Sequence, residues 1–172
     1  MVSLNLQNDV LSFRNIVKED LPEVLDWYNR LDEFMFATGV DRLLTMKEMS
    51  NKFYESAVSG YDFFVWIVNK QGRKIGILKG SMKYRDKDSI WINSILIDSD
   101  FRGKGYGKKA VETLMEYARE KFGLNKTLIS VIEDNTGAIC FWNKIGFRQI
   151  KKLKNHISLG EKTRDVIILQ KK

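Results

Sequence analysis

Arg102-Gly103-Lys104-Gly105-Tyr106-Gly107 packs three glycines and two cations into six consecutive residues, and Lys108 and Lys109 follow at once. Glycines let a backbone turn so that several amide N–H groups converge, and a helix beginning there adds partial positive charge. Such a loop holds an anion, and a pyrophosphate is its natural occupant. The residues alone leave several readings open. A phosphate-loop NTPase lacks its magnesium-binding hydroxyl, because Lys108 is followed by Lys109. Gly105-Tyr106-Gly107-Lys108-Lys109-Ala110 matches the dinucleotide-binding pattern G-x-G-x-x-A, with Glu133 placed where a ribose-binding acid would sit. Only about 40 residues remain after Glu133, too few for the rest of such a sheet. A tight surface turn among solvated lysines is the plain alternative. A basic nucleic-acid-binding module would use Arg102–Lys109 and Lys151–Lys154, but only Tyr106 is interleaved with those charges as a stacking aromatic.

The surrounding elements must position this loop. Leu11–Val17 reads as a first strand, and Asp20-Leu21-Pro22-Glu23 opens a helix with a cap, an early Pro and a Glu three residues on. Leu21, Val24, Leu25, Tyr28 and Leu31 share one face of it, and Asp32–Leu44 reads as an irregular connection. Thr45-Met46-Lys47-Glu48 is a capping box opening a helix to about Val58. Asp62–Asn69, Lys74–Tyr84 and Ser89–Asp98 read as an antiparallel meander, turned at Lys70-Gln71-Gly72 and Arg85–Asp88. Trp91, Asn93, Ile95 and Ile97 share a face if the third strand is regular. A helix from about Gly105 to Phe122 buries Ala110, Val111, Leu114, Met115, Ala118 and Phe122, and Thr127–Ile132 is the next strand. Strand, helix and strand form a βαβ unit with a parallel pair. Asn135–Ile145 is a short helix, and Phe147–Leu153 and Arg164–Leu169 are closing strands.

Length and composition agree with one compact α/β domain over residues 1–172. The chain is 44% hydrophobic and 30% charged, a balance that excludes disorder, collagen and coiled coil. One Cys and one His supply neither a disulfide framework nor a tetrahedral zinc site, so no metal is expected. No apolar run approaches a membrane span and no signal core is evident, so a soluble cytoplasmic protein is expected. The net charge of +7 favours anionic ligands.

Arg102-x-x-Gly105-x-Gly107 resembles the R/Q-x-x-G-x-G/A signature of the GNAT acetyltransferase superfamily. Its context is similar as well. The signature follows Ile95-Leu96-Ile97-Asp98 and opens a long helix. One strand later Asn135, Ala138, Phe141, Trp142, Gly146 and Phe147 fit the pattern N-x-x-A-x-x-F-[YW]-x-x-x-G-F. Phe13-Arg14, Glu19-Asp20-Leu21, Trp27-Tyr28-Asn29 and Gly160–Leu169 resemble the branch containing ribosomal-protein N-terminal, spermidine and aminoglycoside 6′-acetyltransferases. The resemblance covers roughly residues 11 to 170. It implies a single-domain α/β fold with a mixed sheet, an antiparallel meander followed by a βαβ unit whose parallel pair splays.

It also implies acetyl-CoA as co-substrate and a primary amine, small molecule or peptide, as acceptor. Arg102, Gly103, Lys104, Gly105, Tyr106, Gly107 and Lys108 would take the pyrophosphate. Ile95, Leu96 and Ile97 would lend backbone groups to the pantetheine arm, in the manner of an added strand, and the Ile95 N–H would polarise the thioester carbonyl. Asn135, Ala138, Phe141, Trp142 and Lys144 would line the same cleft, with Lys144 either reaching a CoA phosphate or remaining solvated. Nucleic acid and membrane are not expected as partners, and the chain is expected to be a monomer or homodimer.

The chemical roles depart from the family pattern. Trp91 stands where a Glu base is common, and Trp142 stands where a Tyr acid is common; indole donates a hydrogen bond but is no acid near neutral pH. Asn93 either orients a water or the amine, or makes a structural bond in the strand. His156 is expected as a surface or hydrogen-bond-satisfied histidine rather than a base, and Cys140 in the core. Trp27, Tyr28, Phe34, Phe36 and Tyr84 either line the acceptor side or belong to the core. An amine with pKa near 10.4 spends about 4–5 kcal/mol on losing a proton at pH 7, and an α-amine near 7.7 about 1 kcal/mol. Without an evident base, a protein N-terminus or amino-sugar is the easier acceptor. A non-catalytic acyl-CoA sensor is the alternative.

Overall fold

In the computed structural model, which describes residues 1–82 and 89–172, the chain builds one seven-stranded mixed sheet with helices on both faces. The elements run β1 (Leu11–Asn15), α1 (Leu21–Tyr28), α2 (Leu31–Thr38), α3 (Met46–Val58), β2 (Asp62–Asn69), β3 (Lys74–Ser81) and β4 (Ile90–Ile97). Then come α4 (Tyr106–Phe122), β5 (Thr127–Ile132), α5 (Thr136–Lys144), β6 (Arg148–Leu159) and β7 (Lys162–Lys171). The strand order is β1-β2-β3-β4-β5-β7-β6, and β4 and β5 are the parallel pair. The expected α/β architecture holds. The turn over Arg85–Asp88 and the end of the second meander strand at Tyr84 lie outside the described residues.

Two apolar layers sandwich the sheet. Ala110, Val111, Leu114 and Ala118 of α4, with Trp142 and Ile145, pack on the face bearing Phe63, Val65, Ile75, Leu78, Ile90 and Ile92. Leu21, Val24, Trp27 and Tyr28 of α1, with Phe34 and Met49, cover Phe64, Trp66, Ile77 and Leu96 on the other face. The strands of the centre are buried on both faces and so carry nearly continuous apolar sequence.

Several details differ from the sequence reading. Residues 31–38 are helical, not irregular. Trp27 stacks on Phe34 with ring centroids 5.8 Å apart, and this contact supports a helix too short to stand alone. Asp20 does not cap α1 with its side chain; its carboxylate turns back to accept from the Val17 N–H at 3.1 Å and from Arg14 at 2.8 Å. Thr45 and Glu48 do form the capping box. Phe122 is exposed at the last turn of α4, lying edge-on to Tyr117. The closing hairpin is longer than its apolar pattern indicated, and β7 lies between β5 and β6.

The third meander strand is not regular. Lys79 pairs with Ser94 and Gly80 with Ile92, so Asn93 is an extra residue in β4. Such a bulge reverses the alternation of side chains. Ile90 and Ile92 before it, and Ile95 and Ile97 after it, therefore all pack toward α4 and α5, while Leu96 joins the α1 side. Trp91, Asn93, Ile95 and Ile97 do not share a face.

Candidate functional site

The bulge coincides with the point at which the parallel pair comes apart. β4 and β5 are paired only from Ile90↔Thr127 to Ile92↔Ile129. Past Asn93 they diverge, and a cleft of about 670 Å³ opens between them. Its walls come from Asn93, Ser94, Ile95 and Ile97 on one strand, Ile129, Ser130 and Val131 on the other, and from α2 and α5. The loop and first turn of α4 close one end through Arg102, Gly103, Gly105, Tyr106, Gly107 and Lys108.

The loop is shaped by left-handed glycines, φ +73° at Gly103 and +85° at Gly105, where a β-carbon would be disfavoured. Gly105 is the N-cap of α4, so the Tyr106, Gly107 and Lys108 amides stand in the first turn with no acceptor four residues back. Lys108 adds a solvated ammonium, 3.8 Å from the Glu112 carboxylate. This end of the cleft is built for an anion.

The strand wall presents backbone groups. The Asp98 N–H donates to the Ile75 carbonyl on β3 at 3.0 Å. Backbone groups alternate in direction along a strand, so those of Ile97 and Ile95 face away from β3, toward the gap. In agreement, the Ile97 carbonyl accepts from Arg102 Nε at 2.8 Å. Leu96 lies in the opposite phase, its side chain fully buried on the α1 side.

On the far wall, Ala138, Phe141, Trp142 and Lys144 of α5 line the cleft. Asn135 caps that helix, its Oδ1 accepting from the Ala138 N–H at 3.1 Å. Trp142 is only 2% exposed, wedged between Phe141 at 5.0 Å and Phe147 at 4.8 Å. The same amphipathic turn puts Cys140 outside, contrary to the expected core position, because Phe141, Trp142 and Ile145 take the inner face.

Lys104 is absent from the cleft lining; its ammonium lies 5.4 Å from the Phe101 ring. Trp91 and His156 also lie outside it, His156 exposed on β6. Trp27 and Tyr28 are core, whereas Phe34 and Phe36 line the cleft; Tyr84 falls outside the described residues. Glu33, Ala37 and Ser130 also line it. The sequence pointed to Phe34 and Phe36 but not to Glu33, Ala37 or the helix that carries all four, because no capping side chain marks its start.

Two titratable neighbours are perturbed. Burial pushes the Tyr28 phenol up to about 12, against the opposing hydrogen bond to Ser94. Burial would raise the Asp98 carboxyl, yet the Arg30 guanidinium at 2.9 Å and the Asp100 N–H hold it below its ordinary value. Among the described residues no cluster of three His, Cys, Asp or Glu could hold a metal, and no helix is long and apolar enough to cross a membrane.

Known proteins are similar to this chain in sequence and in fold. The sequence profile of the acetyltransferase (GNAT) family matches residues 21–147. An uncharacterized N-acetyltransferase of Methanocaldococcus jannaschii is 27% identical over 155 residues, 86% of this chain and 65% of that protein. The spermine/spermidine N(1)-acetyltransferase of Bacillus subtilis is 30% identical over 59 residues, 34% of this chain and 39% of that protein. The chain thus spans just under two thirds of the first relative's length and well under half of the second's. A spermidine N-acetyltransferase from Vibrio cholerae, solved in complex with CoA and spermine, superimposes with a TM-score of 0.81 at 16% identity, over 95% of both chains. The last likeness is one of fold. With the profile matched over most of its length, the chain belongs to the acetyltransferase (GNAT) family.

Proposed function

We propose that the protein transfers the acetyl group of acetyl-CoA to a primary amine by direct attack in a ternary complex. The observation that carries this reading is the cleft itself: a strand edge, an anion-holding loop and an apolar helix wall converge where β4 leaves β5. The pyrophosphate would sit on the Tyr106, Gly107 and Lys108 amides and the Lys108 ammonium, and the pantetheine arm would lie along Ile95 and Ile97. The Ile95 N–H, pointing into the gap, is placed to donate to the thioester carbonyl and to the negative charge that grows there. The amine nitrogen bonds to the carbonyl carbon, the C–S bond breaks, CoA leaves as thiolate, and the ammonium proton passes to solvent. A thiol with pKa near 8.5 leaves with little assistance, so the missing Tyr is tolerable. Positioning and carbonyl polarisation supply the catalysis.

Two observations bear on the acceptor. The Bacillus subtilis relative is named for spermine and spermidine, which supports a polyamine. Against this, Glu33 is the sole carboxylate among the described residues lining the cleft, and it is bound to Arg102. Among the described residues a polycation finds no free countercharge there, and an amine of lower pKa, a peptide N-terminus or amino-sugar, fits better.

Calorimetric titration with acetyl-CoA tests the donor, and release of free thiol with spermidine, a short peptide and an amino-sugar tests the acceptor. Micromolar binding with turnover of at least one amine is expected. Binding without turnover of any amine would leave a sensor of acyl-CoA. No binding would remove the reading and turn attention to the basic segments at residues 102–109 and 151–154.

A further inference from the structure

The Arg102 side chain does not point freely at the place where a phosphate would sit. Its Nε donates to the Ile97 carbonyl at 2.8 Å, and its Nη2 donates to Glu33 Oε2 at 3.0 Å. The guanidinium also lies 5.3 Å from the Phe34 ring. Glu33 and Phe34 belong to α2, which with Phe36 and Ala37 forms one wall of the cleft. A second link runs parallel to the first. Arg30, the residue before α2, donates to Asp98 Oδ2 at 2.9 Å, stands 4.0 Å from Glu33 and lies 4.8 Å from the Trp27 ring.

α2 needs such support. It has eight residues and no side-chain cap, and a helix that short does not persist by itself. Its wall residues are therefore as well placed as the contacts holding them. One pair of these contacts runs to the loop that follows β4.

We propose that Arg102 is a strut rather than a phosphate ligand, and that Glu33 is a positioning residue through which the anion-holding loop fixes the acceptor-side wall of α2. The proposal rests on the cleft being the acetyl-transfer site. It adds that donor and acceptor sides are mechanically joined: the segment that seats the pyrophosphate also sets Phe34, Phe36 and Ala37. The anion is left to the amides of the first α4 turn and to Lys108, groups with no comparable structural duty.

Glu33→Gln, Arg102→Met and the double variant separate the roles. Both singles should speed amide hydrogen exchange over residues 34–38 by about fivefold, while exchange in α3 stays unchanged, the size expected for a half-exposed networked ion pair. The double variant should loosen α2 by less than the sum of the two singles, because the Arg102–Glu33 bond is lost in each of them. Titration with CoA should give affinities for both singles within about threefold of each other. The proposal is overturned if exchange over residues 34–38 is unaffected, if the two effects add, or if Arg102→Met alone loses CoA affinity by an order of magnitude. Failure of the unaltered protein to bind CoA would instead remove the acetyl-transfer reading, and the exchange data would still decide whether the strut exists.

Discussion

Gly80 backs directly onto the Trp91 carbonyl: a β-carbon at residue 80 would lie 2.3 Å from that oxygen and 2.5 Å from Phe63 Cζ. The contact sits at the Asn93 bulge, where β3 and β4 shift register. Gly80→Ala must therefore push β4 away from β3 or expel the Phe63 ring. Denaturant unfolding should show a loss of at least about 2 kcal/mol, the scale of core overpacking. Gly60→Ala, where nothing lies within 4 Å of the new carbon, should be close to neutral. Equal effects at both sites would contradict the close approach.

Gly107 faces the cleft from the first turn of α4, and a β-carbon there would meet Phe141 Cζ at 3.4 Å and Ile97 Cγ1 at 3.7 Å. Gly107→Val fills the gap between the loop and α5. CoA affinity should fall at least about tenfold, or about 1.4 kcal/mol. Stability should change by less than about 1 kcal/mol, because valine is tolerated in a helix. Calorimetry and thermal unfolding of the same preparation separate the two quantities.

The buried Tyr28 phenol, pushed up to about 12, contributes to the pH dependence of folding. The folded state holds this proton more tightly than the unfolded chain does. The contribution is thus fully present below pH 10 and is lost as pH rises from there toward 12. It amounts to about 2–3 kcal/mol over that window. Stability measured between pH 9 and 11.5 should fall less steeply in Tyr28→Phe than in the unaltered protein. Parallel slopes would mean that the phenol is not held in the apolar layer.

Acetyl transfer without a protein base has a kinetic signature. The rising limb of kcat/KM against pH should follow the pKa of the amine supplied, moving by roughly 2 to 3 pH units between an α-amine and an alkylamine. A limb fixed at one pH for every amine would point to a titrating residue of the enzyme.

Where local pattern and tertiary context agreed, the sequence was sufficient. Thr127–Ile132 and the capping box at Thr45 could be read directly, because turn residues and a reciprocal side-chain cap are local signals. The glycine loop was legible for the same reason. The Asn93 bulge was not, since it is defined only by the register of β3 against β4. α2 escaped because Arg30 stands in its cap position and Phe34, Met35, Phe36 and Ala37 form an unbroken apolar run; acidic Asp32 and Glu33 in its first turn and Gly39, left-handed at φ +68°, were its local marks. The carboxylate partner of Arg102, Glu33, lies 69 residues away in the chain, a distance no motif spans. β6 seemed to end at Leu153 because apolar alternation fails over Lys154-Asn155-His156, where Asn155 has φ +47° and the register slips.

Because β7 lies between β5 and β6, the order in which the chain is synthesised is not the order in which its sheet can close. β6 leaves the ribosome before β7 and has no neighbour to join until residues 162–171 follow. Meanwhile β5 keeps an open edge running from Thr127 to Ile132. A chain lacking residues 162–171 would leave the β5 edge from Thr127 to Ile132 unpaired and β6 without its one neighbour in the sheet, and such edges invite self-association. β7 acts as a latch, and closure of the one hairpin it makes with β6 covers the open edge of the five strands β1 to β5.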